Sequence, residues 1–467
     1  MEVPMFVGRQ RELTSLESRY NENKFHFIPI YGRRRVGKTE LIKEFIKNKD
    51  AIYFTAIEAG EKQNLFNFSQ CINEFITDFQ IDASYDTFDA AFDVIDKLAH
   101  QQRLVLVIDE YPYLASNYKA ISSILQKYID HKFNKTNLFI ILCGSSMSFM
   151  EHQVLGYQSP LYGRRTGQIK LEPFGFRESG LFFSGFDQEN KAIAYGITGG
   201  IPKYLEMMND SISMSKNIIN QFFTMDALLY EEPSNLLKQE LREPKTYNDI
   251  LIAIANGASK LNEIVTKTKA ETLDTSKATK YLHSLMSLGI IKKEYPFAEQ
   301  KSKRSIYRIN DGMFRFWYRF VQNNISRINL GFGGDVYTKI EPQLSAFMGD
   351  VFEKICTEWL WQEYHKNNLP FEINDCGRWW GNNPLTKSES EIDILAYDDT
   401  QTKALFCECK WTNEKVGMSI YNDLQNKSRM FAQTTKYYIL FSKAGFTDEL
   451  VQSVDTHTQL VTFKQMF

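Results

Sequence analysis

Cysteine is scarce in this chain. Its six cysteines among 467 residues, at 71, 143, 356, 376, 407 and 409, form neither a disulfide framework nor a pair of CxxC knuckles. That excludes a disulfide-stapled scaffold and a zinc ribbon, and leaves free thiols in a reducing compartment. A surplus of either charge is also missing. With 55 basic side chains against 57 acidic ones there is no global pull toward nucleic acid or membrane, so any basic surface must be local. Nowhere do about eighteen apolar residues run together. The opening MEVPMFVGRQREL has no basic segment followed by an apolar one. Neither a signal peptide nor a transmembrane helix is expected, and the chain reads as cytoplasmic with no membrane partner.

What is present is ample material for burial, 43% hydrophobic and 14% aromatic, in a chain too long for one core. A multidomain α/β protein is expected. FHFIPIYGRRRVGKTELIKEFI passes from an apolar strand through a glycine loop into a helical pattern with Leu41, Ile42, Phe45 and Ile46. Within it, Gly32, Arg33, Arg34, Arg35, Val36, Gly37, Lys38, Thr39 and Glu40 have the spacing of a phosphate-binding loop. Glycines let backbone N–H groups wrap phosphates, Lys38 meets the β and γ oxygens, and Thr39 holds Mg²⁺. RLVLVIDEYPYL is a buried parallel strand ending in two carboxylates. Asp109 is suited to Mg²⁺ and Glu110 to polarising the attacking water. In NLFIILCGSSMSFM the strand gives way to Ser145, which can sense the γ-phosphate. In YGRRTGQIKLEPF, Arg164 or Arg165 can supply transition-state positive charge, with a structural salt bridge or a solvated turn as the alternative.

These stretches, with FVGRQREL and ITGGIPKYL, resemble the archaeal-type ATPase family within the STAND class of AAA+-related proteins, over residues 1 to about 240. The resemblance implies an AAA+-like parallel sheet with a helical lid. It also implies that Val7, Gly8 and Arg9 border the adenine and that Pro202 touches the nucleotide from the lid. The lid arginine of many AAA+ proteins is not evident, its place being taken by the Gly-x-Pro turn.

From Lys245 to Asn310 the pattern changes to three short helices and a hairpin, the order of a winged helix-turn-helix. This module carries twelve basic side chains and six acidic ones. Ala278, Tyr281, Leu282, Leu285 and Leu288 form a buried stripe. Lys277, Lys280 and His283 lie off it, and Lys301, Lys303 and Arg304 stand at the wing tip, a geometry suited to the phosphates of double-stranded DNA. Winged helices also dock proteins, so that reading stays open. The aromatic stretch DGMFRFWYRFV is expected to pack between domains.

The last part contains LSAFMGDVFEKICTEWLWQEY, a helix with Phe347, Val351, Phe352, Ile355, Trp359 and Leu360 on its apolar face and Glu353 beside it. SESEIDILAYDD alternates, which sets Glu391, Asp393 and Leu395 against Ile392, Ile394 and Ala396. KALFCECKW is its hairpin partner, placing Cys407, Cys409 and Trp411 on one face and Phe406, Glu408 and Lys410 on the other. Burying Asp393, Glu408 and Lys410 together without a cation would cost several kcal/mol. Asp393, Glu408 and the carbonyl of Cys409 are hard ligands for Mg²⁺ or Mn²⁺, and Lys410 can activate water. The constellation of Glu353, Asp393, Glu408 and Lys410 resembles the PD-(D/E)xK nuclease superfamily over roughly residues 342 to 467. GRWWGNNP, Gln425 and Lys427 match more loosely. The resemblance implies a restriction-endonuclease-like α/β domain with Glu353 as a further metal-binding acid.

The expected division is an ATPase core at 1–170, a helical lid at 171–240, a winged helix at 241–310, an aromatic connector at 311–341 and a nuclease-like domain at 342–467. The reading is an ATP-hydrolysing, DNA-binding switch of the STAND type, expected as a homo-oligomer, that controls a metal-dependent DNA endonuclease. Analogy with STAND proteins suggests defence against foreign DNA as its setting. The rival is an ATP-dependent DNA-binding regulator whose nuclease-like domain does not cut.

Overall fold

The computed structural model describes residues 6–77, 83–268, 273–299 and 304–467. The chain divides into two compact units, Met1–Phe174 with Ile201–Lys203, and Gly175–Gly200 with Tyr204–Phe467.

The first unit is built on a parallel sheet of β1 (His26–Gly32), β2 (Ala51–Thr55), β3 (Leu104–Asp109), β4 (Leu138–Gly144) and β5 (Ile169–Leu171), in the order β2-β3-β4-β1-β5. Every residue of β1, β3 and β4 is buried, as continuous apolar runs in a sheet covered on both faces should be. Phe68, Ile72, Phe92, Ile95 and Leu125, from helices Glu61–Thr77, Phe88–Gln101 and Ile121–His131, cover one face. Each such side chain contributes about 1.5–3 kcal/mol on burial. On the other face Phe45, from helix Lys38–Ile46, packs 5.4 Å from Phe139. The register sets Ile30 against Cys143 and Thr55 against Asp109, so the ends of β1, β3 and β4 open on one edge.

In the second unit, helices Pro244–Ala255, Leu261–Lys267 and Thr275–Ser287 are followed by the antiparallel pair β6 (Ile291–Glu294) and β7 (Ile306–Ile309). Ala278, Leu282 and Leu285 are fully buried, while Tyr281 is half-buried and bonds to Glu243. In the aromatic stretch, Phe316 lies 4.7 Å from Phe222 and 5.5 Å from Phe347. These rings serve packing.

The C-terminal sheet comprises β8 (Asp375–Asn383), β9 (Ser388–Tyr397), β10 (Lys403–Lys410), β11 (Thr435–Ser442) and β12 (Thr458–Thr462), in the order β12-β11-β10-β9-β8. β9 runs antiparallel to both of its neighbours, β8 and β10, whereas β10, β11 and β12 run parallel. Helix Leu344–His365 covers one face, where Phe352 packs 5.2 Å from Trp411. Helix Met418–Ser428 covers the other through Tyr421 and Leu424, which join Leu395 and Phe406.

The alternation expected along β9 is broken. Gly377 and Trp379 of β8 face Leu395 and Ile392, so three steps on β9 match two on β8. This bulge carries Ile392 into the cluster of Leu395 and Trp379, and Glu391 turns away to pair with Arg378. Among the described residues no helix is long and apolar enough to cross a membrane.

Candidate active sites

The first site forms where the loop between β1 and helix Lys38–Ile46 leaves the sheet. Gly32 has a φ of +155°, and a Cβ there would stand 2.4 Å from the carbonyl oxygen of Leu171. Only glycine fits that approach. Gly37, at φ +87°, begins the helix, and a Cβ on it would lie 3.8 Å from Pro202 Cγ. Lys38 Nζ donates to the carbonyls of Gly32 and Arg33, 3.0 Å to each. Arg34 donates to Tyr113 OH at 3.3 Å, Arg35 is held at φ +70°, and Val36 is buried. Glu40 points to solvent, 3.7 Å from Lys43.

Thr39 Oγ1 donates to Asp109 Oδ2 over 3.2 Å, so the two groups expected to hold Mg²⁺ already meet. Asp109 Oδ1 accepts from Glu110 N at 2.9 Å, and Glu110 Oε2 accepts from Ser145 Oγ at 3.0 Å. Glu110 takes a left-handed backbone, φ +51°, which aims the acid off the strand end. This donor set fits a magnesium-bound nucleoside triphosphate. Sequence reasoning missed Tyr53, whose hydroxyl donates to Asp109 Oδ2 at 2.5 Å. Burial, then the Asp109 carboxylate, push the Tyr53 hydroxyl far above its ordinary range. An alternating strand, AIYFT, gives no signal for such a contact.

Val7 and Gly8 are half-buried, with Gly8 at φ +69°. Arg9 is buried and donates through Nη2 to the carbonyls of Val36 and Glu172, 2.8 Å to each, with its guanidinium 4.1 Å over Phe174. It thus braces the phosphate loop. Arg164 departs from the expected catalytic role, because its Nε and Nη2 donate to the two carboxylate oxygens of Asp130 at 2.8 and 2.7 Å. This bidentate ion pair is the structural salt bridge named as the alternative, and it commits the guanidinium to Asp130. Arg165 is exposed, and its charge acts on Tyr31.

On the winged helix, Lys277, Lys280 and His283 are exposed along one face of the third helix. Lys301 and Lys303 lie outside the described residues. Arg304 keeps its side chain partly exposed, but pairs with Glu299 and donates to the Trp380 carbonyl at 3.2 Å.

The C-terminal acids converge near the bulge. Asp393 Oδ2 accepts from Cys409 N at 2.7 Å, and Lys410 pairs with Glu408. Glu408 is 6% exposed, and its Oε2 is buried without a hydrogen bond, 3.9 Å from Lys427 Nζ. Burial, then Glu408, raise the Asp393 carboxyl, against the Cys409 N–H and Lys410. Glu353 is pushed up to about 8, first by burial and then by Asp393 and Asp350. A buried carboxylate oxygen without a hydrogen bond, on an acid whose charge acts on Asp393, offers hard oxygen donors of the kind a divalent cation takes, with Lys410 and Lys427 now lying against Glu408 in its place. The fuller ligand set of Glu353, Asp393 and Glu408 is not preassembled. Among the described residues no three His, Cys, Asp or Glu side chains are arranged to hold a metal. The physical reason is local, with Asp393 turned onto a backbone N–H and Glu408 onto Lys410. Cys407 and Cys409 are buried free thiols on the opposite face, Cys409 beside the free Cys356 of the long helix.

Three stretches match known domains. The ATPase domain found predominantly in Archaea matches residues 6–208, the C-terminal winged helix-turn-helix domain of MCM proteins matches 242–301, and a domain of archaeal and bacterial proteins of unknown function matches 317–421. The uncharacterized protein MJECL04 of Methanocaldococcus jannaschii is 34% identical over 445 residues, which cover 94% of this chain and 96% of that protein. The uncharacterized ATP-binding protein MJ0423 of the same organism is 60% identical over 47 residues, 10% of this chain and 80% of that protein. The Walker-type ATPase PABY2304 of Pyrococcus abyssi superposes with a TM-score of 0.52 at 21% identity, covering 67% of this chain and 96% of that one. Similarity to MJECL04 over almost the whole of both chains, together with the phosphate loop and its paired acids, shows that the chain belongs to that protein's family, a P-loop ATPase of archaeal type joined to an MCM-like winged helix and a C-terminal sheet domain.

Proposed function

We propose that this protein is an ATP-dependent switch that engages duplex DNA through its winged helix and controls metal-dependent phosphodiester cleavage at its C-terminal acids. In the ATPase site Lys38 would meet the terminal phosphates, Thr39 and Asp109 would hold magnesium, and Glu110 would take a proton from the attacking water. Arg164 is committed to Asp130, so we infer that Arg165 or a second copy of the chain supplies the remaining cation. The observation that carries the cleavage reading is the clustering of Asp393, held on the Cys409 amide, with Glu408, which pairs with Lys410 through Oε1 and leaves a buried Oε2 without a hydrogen bond. The order helix, three antiparallel strands, helix, parallel strand around them supports it. A cation bound there would polarise a phosphate and acidify its water; Asp393 and Glu408 would hold it, and Lys410 would orient the water.

A non-cutting, DNA-binding regulator is the second reading. The absence of a preassembled three-ligand group among the described residues favours it. Supercoiled plasmid incubated with Mg²⁺ or Mn²⁺, with and without ATP, separates the two. Metal-dependent nicking that disappears in Asp393→Ala and Lys410→Ala supports cleavage. Salt-sensitive duplex binding without nicking under any condition supports the regulator.

A further inference from the structure

The acids of the C-terminal domain are not balanced by that domain's own cations alone. Arg308, on β7 of the winged helix, reaches helix Leu344–His365 and donates through Nη2 to Asp350 Oδ2 at 2.8 Å. Arg315 Nη1 donates to the same oxygen at 3.0 Å, and Arg308 Nη1 stands 3.7 Å from Glu294. Asp350 lies one helical turn before Glu353, and the Arg308 charge acts on both Glu353 and Glu391. The hairpin is seated at further points. Lys354 Nζ donates to the Asn310 carbonyl at 2.9 Å, Phe297 N to the Arg378 carbonyl at 2.9 Å, and Trp380 Nε1 to the Arg304 carbonyl at 3.2 Å.

We propose that the winged helix supplies the counter-cation of the C-terminal acid site, so that seating Arg308 on Asp350 and loading a divalent cation at Asp393 and Glu408 oppose each other. This inference rests on the acid-site reading above. A guanidinium seated on Asp350, one helical turn from Glu353, and close to Glu294 lowers the negative potential that would draw in a metal. With the two side chains 28% and 37% exposed, solvent screens part of that effect and leaves it moderate. The hairpin is therefore an electrostatic stopper on the site, and whatever lifts it off the long helix favours metal entry. Coupling of this kind is reciprocal, so metal loading must also loosen the hairpin. Arg308 is a positioning residue in this scheme, acting through Asp350 and Glu353.

The test is Mn²⁺ binding to the full chain, followed by titration calorimetry at fixed pH and ionic strength. Arg308→Gln should bind Mn²⁺ about tenfold more tightly than the wild type, as expected for removing one nearby unit charge. Arg308→Lys should bind it as the wild type does. Asp393→Asn and Glu408→Gln should abolish the same binding event. A second measurement needs no variant at Arg308: amide hydrogen exchange in 291–294 and 306–309 should quicken when Mn²⁺ is added to the wild type, and not in Asp393→Asn. If Mn²⁺ binding depends on Asp393 and Glu408 but Arg308→Gln leaves it unchanged or weaker, or if exchange in the hairpin does not respond, the stopper is overturned and the acid site stands. If Mn²⁺ binding does not depend on those acids, both fall.

Discussion

Replacing Arg164 by alanine separates two roles that one side chain cannot easily combine. The guanidinium makes two hydrogen bonds to Asp130, 2.8 and 2.7 Å long, on side chains 26% and 34% exposed. A paired, fork-like geometry sits near the top of the range for surface ion pairs, and solvent screening at this exposure keeps its value to about 1 kcal/mol. Arg164→Ala and Asp130→Ala should each lower stability by about that amount, and the double variant should lose little more than either single one. The Arg164 hydrogen bonds hold the Asp130 carboxyl below its ordinary range. The pair's contribution is therefore present above roughly pH 4 and fades as pH falls through the lowered folded value. Turnover of ATP should stay within about twofold of the wild type in both variants, whereas a transition-state arginine is worth about a thousandfold or more. Denaturant melts and steady-state phosphate release measure the two quantities. A loss of a hundredfold or more in Arg164→Ala, with Asp130→Ala nearly unaffected, would refute the structural assignment.

Tyr53→Phe removes the 2.5 Å donor to Asp109 and should raise the Mg²⁺ concentration needed for half-maximal ATP turnover by about tenfold while sparing the fold, measured by a Mg²⁺ titration. Gly32→Ala drives a Cβ to 2.4 Å from the Leu171 carbonyl and should cost about 2–4 kcal/mol and most nucleotide affinity, read by thermal melting with and without ATP. Glu358 accepts from Phe176 N at 2.8 Å and from Tyr195 OH at 3.0 Å, and burial raises its carboxyl. Its stabilising contribution is therefore greatest in acid and declines as pH rises through its folded value. Glu358→Gln should flatten that decline, so its melting temperature relative to wild type should be higher at pH 8 than at pH 5.

The phosphate loop and its acids were legible because their chemistry is local. Gly32 to Thr39 form one contiguous turn, and the all-apolar runs before Asp109 and Ser145 announce strands buried on both sides. The stripe of Ala278, Leu282 and Leu285 was legible for the same reason, being periodic. Contacts made across sequence distance were not. Nothing in YGRRTG says that Asp130, thirty-four residues earlier, waits for Arg164. Nothing in the wing says that Arg304 will turn onto the Trp380 carbonyl, or that Arg308 will find Asp350. In β9 the pattern read as perfect alternation, because a bulge adds a residue without changing residue types, and only pairing with β8 exposes it.

That extra residue makes the position of Asp393 a matter of counting. A point substitution at Ile392 or Ile394 alters packing but leaves the carboxylate where it is. Deleting one residue between Glu391 and Leu395 would restore an even pleat and swap which flank of the ribbon each upstream side chain occupies. The acid would then lose its hold on the Cys409 amide. This segment should thus tolerate exchange of its aliphatic side chains far better than any change in its length.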